Sequence, residues 1–265
     1  MDKAADKTAG RSRIQGKFVW FELEAPADQL AVAQAFYSEV LGWKTMPIAM
    51  GEQSYEMIAA AGTPIGGYAP LRGARSPARW VTSVSVHDVD KVASSAAALG
   101  GKLLEPAYDL PNVGRRARIA DPQGADLYVY YAHAGDPPDV DAALGSFFWN
   151  ELHATHAADA VRFYEKLLGY TVETLGMGPA GSYHVLNSGG AGRGGVTEHL
   201  PAGLAPHWLP YVRVDDPDAT LARAATFGGR VQLAAQDIPN TGRFGVLQDP
   251  TGAALAVMKP LPRTA

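Results

Sequence analysis

The sequence predicts an α+β protein built from four β-α-β-β-β modules, arranged as two tandem units of two modules each. Three observations predict this fold. Two long segments align with each other at a shift of about 128 residues. Short amphipathic helices alternate with groups of strand-like segments. Finally, 29 glycines and 19 prolines indicate many short elements joined by turns.

The duplication spans most of the 265 residues. WFELEAPADQLAVAQAFYSEVLGW, which starts at Trp20, is matched by WNELHATHAADAVRFYEKLLGY, which starts at Trp149. Further along, LPNVGRRARIADPQGA from Leu110 is matched by IPNTGRFGVLQDPTGA from Ile238. A constant shift over such a length indicates tandem duplication.

The domain boundaries follow from this alignment. We predict a first domain at 17–132 and a second at 146–260. The intervening HAGDPPDVDAALG, at 133–145, has the proline, glycine and aspartate expected of a linker. Residues 1–16 are charged and small without an apolar central segment, so we predict a flexible tail rather than a signal peptide.

In the first unit, FVWFELEA alternates as a strand and is followed by a helix with Ala33, Phe36, Tyr37 and Val40 at helical spacing. Gly42 is the expected helix stop. The strands WKTMPI, SYEMIAA and IGGYAPL complete this module. The second module then restarts with strand WVTSVSV, helix DVDKVASSAAALGG and strands KLLEPAY, RRARIAD and ADLYVYY.

The second unit repeats the same order. Its second module has strand WLPYVRV, helix DPDATLARAATFGG and strands RVQLAAQ, FGVLQD and ALAVMK. The helix opens with aspartate as N-cap and proline in its first turn, which is a favourable start.

Composition excludes several functions. A formal net charge of -4 with scattered arginines gives no basic surface for nucleic acid or anionic lipid. No segment approaches the roughly 20 apolar residues of a membrane helix. Without cysteine there are no disulfides, thiolate nucleophiles or thiolate metal ligands. We therefore expect a cytoplasmic protein whose partner is a small molecule, with no nucleic-acid or membrane partner.

The order of these motifs resembles the vicinal oxygen chelate superfamily, which contains glyoxalases, bleomycin-resistance proteins and extradiol dioxygenases. The resemblance rests on the helix endings FYSEVLGW and FYEKLLGY, the helix openings VHDVD and VDDPD, and the turns DPQG and DPTG. It covers nearly the whole chain outside the tail and linker, and is most similar to two-domain bacterial members with W-x-E-L in the first strand. It implies two tandem glyoxalase-like open barrels with their helices outside.

Strand alternation predicts which side chains enter each pocket. The apolar face of the first strand, with Val19, Phe21 and Leu23, is expected to pack beneath the helix. The other face then carries Phe18, Trp20, Glu22 and Glu24, and in the second unit Trp149, Glu151 and His153.

Two carboxylates are the candidate catalytic groups. A carboxylate inside a barrel loses solvation, so Glu22 and Glu151 could act as general bases or bind a cationic ligand. They could instead only hold a strand in place through hydrogen bonds to backbone or arginine. The candidate ligand-binding residues are aromatic: Trp20, Tyr55, Trp80, Trp149, Tyr183, Trp208 and Tyr211. A tryptophan at a strand start is also a common core or wall residue.

Metal-bearing relatives place a His or Glu on the first strand of each module and a Glu in its last strand. The resemblance puts these positions at Trp20, Val81 and Tyr128 in the first unit and at Trp149, Leu209 and Ala256 in the second. A metal site of histidine and carboxylate needs about three or four ligands, and none of these side chains is a normal one. We therefore expect no metal cofactor.

One alternative keeps a metal site open. Five of the seven histidines lie in the second unit. A divalent ion there would draw on Glu151, His153, His184, Glu198 or His199, although scattered histidines are usually surface residues.

The favoured hypothesis is a small-molecule-binding protein of this superfamily whose usual metal site is lost. The first alternative is a divalent-metal-dependent lyase, isomerase or dioxygenase acting on a substrate with vicinal oxygens. The second is a structural or partner-binding module. Because the duplication joins two units that relatives pair as separate chains, we expect a monomer or at most a homodimer.

Overall fold

The computed structural model describes residues 12–50, 53–71, 77–178 and 181–262. The first half contains β1 (Phe18–Ala25), α1 (Leu30–Leu41), β2 (Lys44–Met50), β3 (Gln53–Ala60), β4 (Thr63–Pro70), β5 (Arg79–Ser85), α2 (Val89–Ala98), β6 (Lys102–Leu110), β7 (Gly114–Ala120) and β8 (Asp126–Ala132). The second half contains β9 (Phe147–His153), α3 (Ala157–Leu168), β10 (Thr171–Gly176), β11 (Ser182–Ser188), β12 (Ala191–Thr197), β13 (His207–Arg213), α4 (Pro217–Thr226), β14 (Arg230–Ile238), β15 (Gly242–Gln248) and β16 (Ala254–Pro260).

Each half forms one open eight-stranded mixed sheet. The strand order is β2-β3-β4-β1-β5-β8-β7-β6 in the first sheet and β10-β11-β12-β9-β13-β16-β15-β14 in the second. The two modules of a sheet join where their first strands pair antiparallel, β1 with β5 and β9 with β13. This confirms the predicted α+β fold of four modules in two tandem units.

The helix ends follow local sequence. Gly42 and Gly169 end α1 and α3 in the left-handed region, with φ of 69° and 74°, where a side chain would be strained. Asp88 caps α2 by accepting a hydrogen bond from the backbone nitrogen of Lys91 at 2.9 Å. Asp216 caps α4 in the same way.

The helices of the two halves pack crosswise, α1 against α4 and α2 against α3. One buried cluster joins the second module of the first half to the first module of the second half. The other cluster joins the two remaining modules. Apolar burial is the main favourable term in folding, so each half covers a large part of the other's core.

A β-bulge corrects the predicted orientation of Phe18. The pairing of β1 with β5 shifts register between Phe18 and Trp20. The extra residue turns Phe18 away from the pocket side, and its ring lies 5.1 Å from that of Trp208 in the core.

Residues 1–11 of the predicted tail lie outside the described residues. The rest of it makes specific contacts. The backbone nitrogen of Ile14 donates to Asp136 at 2.7 Å, and the carbonyl of Gly16 accepts from Tyr170. Within the described part of the chain, no helix has the length and apolar character to cross a bilayer.

Candidate functional site

The first sheet carries a chain of three hydrogen-bonded side chains on the face opposite the helices. Nε1 of Trp20 donates to the hydroxyl of Tyr55 at 2.9 Å, and this hydroxyl donates to Oε1 of Glu22 at 2.9 Å. Gly67 lies beside them, and a Cβ at that position would be 2.0 Å from the Tyr55 hydroxyl. The glycine is therefore required for the tyrosine to reach the carboxylate.

The second sheet repeats this arrangement. Nε1 of Trp149 donates to the hydroxyl of Tyr183 at 2.9 Å, and the charge of Glu151 raises the pKa of this tyrosine. A Cβ at Gly195 would be 1.9 Å from the Tyr183 hydroxyl. The indole–phenol hydrogen bond beside a glutamate is thus built twice.

In the first sheet, an arginine neutralises the carboxylate. Nη1 of Arg116 lies 2.5 Å from Oε2 of Glu22, and both side chains are buried. Nε of Arg116 donates to the hydroxyl of Tyr108 at 2.6 Å. The guanidinium also lies over the ring of Tyr128, 4.1 Å from its centroid, which is a cation–π geometry.

A second ion-pair group lies next to the first. Arg118 is 3.1 Å from Glu24 and donates to Asp126 at 2.7 Å. Glu105 lies 3.4 Å from the same guanidinium, and Arg79 lies 3.5 Å from Glu24. Burial raises the pKa of Glu24, and the charges of Arg118 and Arg79 oppose that rise.

These pairs also report the shape of the sheet. Glu22 on β1 and Arg116 on β7 are separated by β5 and β8, which is roughly 14 Å in a flat sheet. Two ion pairs across this span indicate that the sheet curls toward the face that carries them. We call this the concave face of each sheet.

The second concave face is chemically different. In the first sheet, Arg116 pairs with Tyr130 and Arg118 pairs with Tyr128. In the second sheet, Phe244 pairs with Met258 and Val246 pairs with Ala256. Strand register therefore makes Phe244 the equivalent of Arg116, and Val246 the equivalent of Arg118. By the same repeat, the charged residues Glu24, Arg79, Glu105 and Asp126 become His153, His207, Leu233 and Ala254. Of the seven charged residues in the first network, the second sheet keeps one carboxylate, Glu151.

The surroundings of Glu151 are aromatic and imidazole groups. The hydroxyl of Tyr211 donates to its Oε1 at 3.1 Å, and Nε2 of His153 lies 3.1 Å from the same oxygen. The Nε2 contact has ion-pair distance but lacks hydrogen-bond alignment. The ring of Phe244 stacks near that of Tyr211, with centroids 6.0 Å apart.

A second histidine lies against the first. The rings of His153 and His207 stack with centroids 5.2 Å apart and an interplanar angle of 4°. Nδ1 of His153 is 2.6 Å from the backbone carbonyl of His199. A carbonyl accepts only, so Nδ1 carries the proton and Nε2 faces Glu151.

The pKa shifts on this face have clear causes. Burial raises the pKa of Tyr183 and Tyr211, and the charge of Glu151 raises both further. Both phenols therefore stay protonated. Burial lowers the pKa of His153, but the adjacent charge of Glu151 and the hydrogen bond to the His199 carbonyl raise it above its ordinary value. Burial lowers the pKa of His207.

The structure places five of the predicted aromatic residues on the concave faces: Trp20, Tyr55, Trp149, Tyr183 and Tyr211. It corrects the placement of Trp80 and Trp208, which lie in the core beneath the helices. Nε1 of Trp80 donates to Tyr37 at 3.0 Å, and Nε1 of Trp208 donates to Tyr164 at 3.1 Å. Trp80 pairs with Leu23, whose side chain lies on the helix side of β1. Paired residues share a face of the sheet, so Trp80 lies on the helix side as well.

The metal-ligand positions implied by the resemblance do not form a site. Val81 and Leu209 lie directly opposite Glu22 and Glu151 as apolar neighbours. Among the described residues, no group of three or more His, Cys, Asp or Glu side chains is placed to hold a metal ion. The described side chains at these positions are therefore not arranged as a metal site.

The alternative metal set is also separated. Glu151 and His153 meet, but Nδ1 of His184 lies 2.9 Å from the Thr174 hydroxyl instead. Glu198 accepts a hydrogen bond from the backbone nitrogen of Ala157 at the start of α3. His199 contributes its backbone carbonyl to His153.

Several site residues were not predicted from the sequence: Arg116, Arg118, Tyr128, His207 and Phe244. A signal for the arginines was present, since RRAR places two of them at strand spacing on one face. Comparing that segment with GRFGV in the second unit also shows where the two faces diverge.

Comparison with known proteins gives a consistent result. A family model described as "Glyoxalase-like domain" matches residues 149–258. The Mycobacterium tuberculosis protein named "Putative glyoxylase CFP32" is 37% identical over 254 residues, covering 94% of this chain and 97% of that protein. The "Anthracycline biosynthesis protein DauV" of a Streptomyces species is 27% identical over 263 residues, covering 92% of this chain and 93% of that protein.

Solved structures share the fold. The Mn(II)-bound glyoxalase from Novosphingobium aromaticivorans superposes with a TM-score of 0.64 at 18% identity, covering 95% of this chain and 84% of that one. The 2,3-dioxygenase LapB from Pseudomonas sp. KL28 superposes with a TM-score of 0.61 at 15% identity, covering 94% and 92%.

Proposed function

We propose, since this chain belongs to the glyoxalase-like family of the vicinal oxygen chelate superfamily, that it binds a small organic molecule on the concave face of its second sheet. We propose further that binding there uses protein groups alone, without the superfamily's metal. The bound molecule is transformed if Glu151 transfers a proton to or from it, and is only bound if Glu151 serves as an anchor.

One observation carries this proposal. Glu151 and Glu22 occupy equivalent places, yet Glu22 is held by Arg116 whereas Glu151 meets phenols and an imidazole. The side chain of Glu151 is 13% exposed, against 4% for Glu22. A carboxylate among aromatic walls with a few oriented polar groups has the composition of a ligand site.

The chemistry available to the two glutamates differs accordingly. In the second sheet, Glu151 and His153 could accept or return a proton, with Tyr183 and Tyr211 as fixed donors. In the first sheet, both carboxylate oxygens of Glu22 already have partners, Arg116 on Oε2 and Tyr55 on Oε1. We therefore propose Glu151 as the reacting or anchoring group and Glu22 as a group that stabilises the first sheet.

The names of the relatives suggest where to look for a ligand. One relative is named a glyoxylase and another an anthracycline biosynthesis protein. A flat, apolar molecule with polar substituents would suit the rings of Trp149, Tyr211 and Phe244. A cytoplasmic location stays a prediction.

Native mass spectrometry and a binding screen test the proposal. We expect an organic ligand or a screened aromatic compound to bind the wild type. Affinity should fall in Glu151→Gln and persist in Glu39→Gln, which removes the same charge from an exposed position on α1. Equal binding by both variants, or no binding by any compound, would exclude this site.

A metal-dependent activity is the second candidate. It is favoured by the 3.1 Å approach of Glu151 and His153, which together supply two of the roughly three or four ligands required. Elemental analysis of freshly purified protein decides between the two. One equivalent of Ni, Zn, Fe or Mn that is lost in His153→Gln would replace the first proposal with this one.

A further inference from the structure

We propose that the second concave face binds an organic cation: a guanidinium, amidinium or ammonium group carried on a flat apolar body. This inference rests on the proposed function and names the ligand class of that same site. The two halves of the chain hold an equivalent carboxylate, but the side chains around Glu22 and Glu151 differ.

The first half shows how this scaffold binds a cation. Its carboxylate, Glu22, is oriented by Tyr55 and Trp20, and it pairs with the guanidinium of Arg116. That guanidinium lies 4.1 Å from the ring centroid of Tyr128. A planar cation is thus bound by one acid and one aromatic face, which are the two elements that recognise guanidinium and ammonium groups.

The second half keeps the acid with the same tryptophan and tyrosine beside it but lacks the arginine. Nε1 of Trp149 donates to Tyr183 as Nε1 of Trp20 donates to Tyr55, and Tyr211 donates to Glu151. Where β7 presents Arg116, β15 presents Phe244, whose side chain carries no charge. The scaffold therefore retains a cation receptor without the cation that fills it in the first half.

Charge balance on this face supports the same conclusion. The three arginine positions of the first network are Phe244, Val246 and His207 in the second. Glu173 adds a second carboxylate, since it pairs with Val185, which lies on the same side of β11 as Tyr183. Among these groups, only His153 and His207 can carry positive charge. Glu151 therefore attracts a cation from solution.

The aromatic content specifies the remainder of the ligand. Trp149, Tyr211 and Phe244 belong to one apolar cluster on this face, separate from the two cores beneath the helices. Phe244 and Tyr211 stack. Such rings favour a flat, weakly hydrated cation over a compact, strongly hydrated one such as free ammonium.

Calorimetry with three matched probes tests the inference: phenylguanidinium, its neutral analogue phenylurea, and the anion benzoate. We expect the wild type at pH 8 to bind phenylguanidinium about tenfold or more tightly than phenylurea, and benzoate weakly. Glu151→Gln should remove this preference, whereas Glu39→Gln should retain it.

One further variant reproduces the first half in the second. Phe244→Arg places a guanidinium beside Glu151 and should abolish phenylguanidinium binding while the far-ultraviolet circular dichroism stays that of the wild type. If this variant unfolds, the Glu151→Gln result with the three probes still decides the matter.

The outcomes separate the two proposals. If phenylurea or benzoate binds as well as phenylguanidinium, and Glu151→Gln does not discriminate among them, the cation inference fails and small-molecule binding stands. If none of the three probes and no compound of the wider screen binds, both fail.

Discussion

At the residue scale, a phenol donates a hydrogen bond to each glutamate: Tyr55 to Glu22 and Tyr211 to Glu151. Each carboxylate is thereby held by the protein before any ligand arrives. Fixing a polar group in advance reduces the ordering cost of binding. The two halves share this device and differ in the charge that meets it.

The close approach at Gly195 gives a prediction. Gly195→Ala should displace Tyr183 from Glu151, because the new Cβ would lie 1.9 Å from the hydroxyl. Overpacking of this kind typically costs about 1–3 kcal/mol of unfolding free energy. Urea denaturation and ligand affinity should both show a loss. Gly176→Ala is the control, since nothing lies within 4 Å of a Cβ there.

The titration of His153 gives a second prediction. NMR of the imidazole protons should show a pKa above the ordinary value of 6.5 in the wild type. In Glu151→Gln, burial should bring it below that value, because the charge that raises it is gone. Because the native pKa is raised, the stabilising contribution is complete below pH 6.5 and is lost as pH rises through the native pKa. An unchanged pKa in the variant would contradict the assigned contact.

At the scale of elements, one hydroxyl on α3 connects this helix to the turn between β7 and β8 and to strand β13. Tyr164 on α3 donates to Asp121 at 3.3 Å, and it accepts from Nε1 of Trp208 at 3.1 Å. Asp121 itself caps its turn by accepting from the backbone of Gln123 and Ala125. The turn between β7 and β8 is thus attached to the opposite half.

Removing this hydroxyl gives a third prediction. Tyr164→Phe leaves a buried indole N–H without its partner, which should cost about 1–3 kcal/mol of unfolding free energy. Tyr131→Phe, at a partly exposed residue, should change stability by less than about 0.5 kcal/mol. Thermal denaturation of the three proteins measures the difference. Equal melting temperatures would mean that the Tyr164 hydroxyl stabilises nothing.

The order of elements could be predicted from the sequence because each helix ends with a recognisable signal and the pattern recurs. Alternation in β1 also predicted the orientation of Trp20 and Glu22. It failed at Phe18, where a bulge shifts the phase, because an inserted residue leaves no mark in polarity. It also failed for Trp80, since β5 is buried on both faces and polarity does not alternate there.

The charge network was not predicted, because β7 reaches β1 only through the curl of the whole sheet. Arg116 and Glu22 are 94 residues apart and lie on strands separated by two others. Local periodicity indicates which face a side chain occupies, but it does not indicate how strongly that face curves.

At the scale of the whole molecule, the two halves share both of their large cores. We therefore predict one cooperative unfolding transition in differential scanning calorimetry, with equal calorimetric and van't Hoff enthalpies. Separated halves would expose the helix faces that now pack crosswise, so residues 146–260 expressed alone should associate or remain partly unfolded. Two resolved transitions in the full chain would contradict the shared core.

Because α1 packs on α4 and α2 on α3 within one chain, we predict a monomer or at most a homodimer by light scattering. A stable tetramer would contradict this.

That crosswise packing puts the helices at the centre and sets the concave faces apart, each with polar contacts confined to its own half. Substitutions on one concave face therefore leave the other face undisturbed, while both faces depend on the shared helical core. Evolution could keep one face as an ion-paired structural element and leave the other free to acquire new ligands.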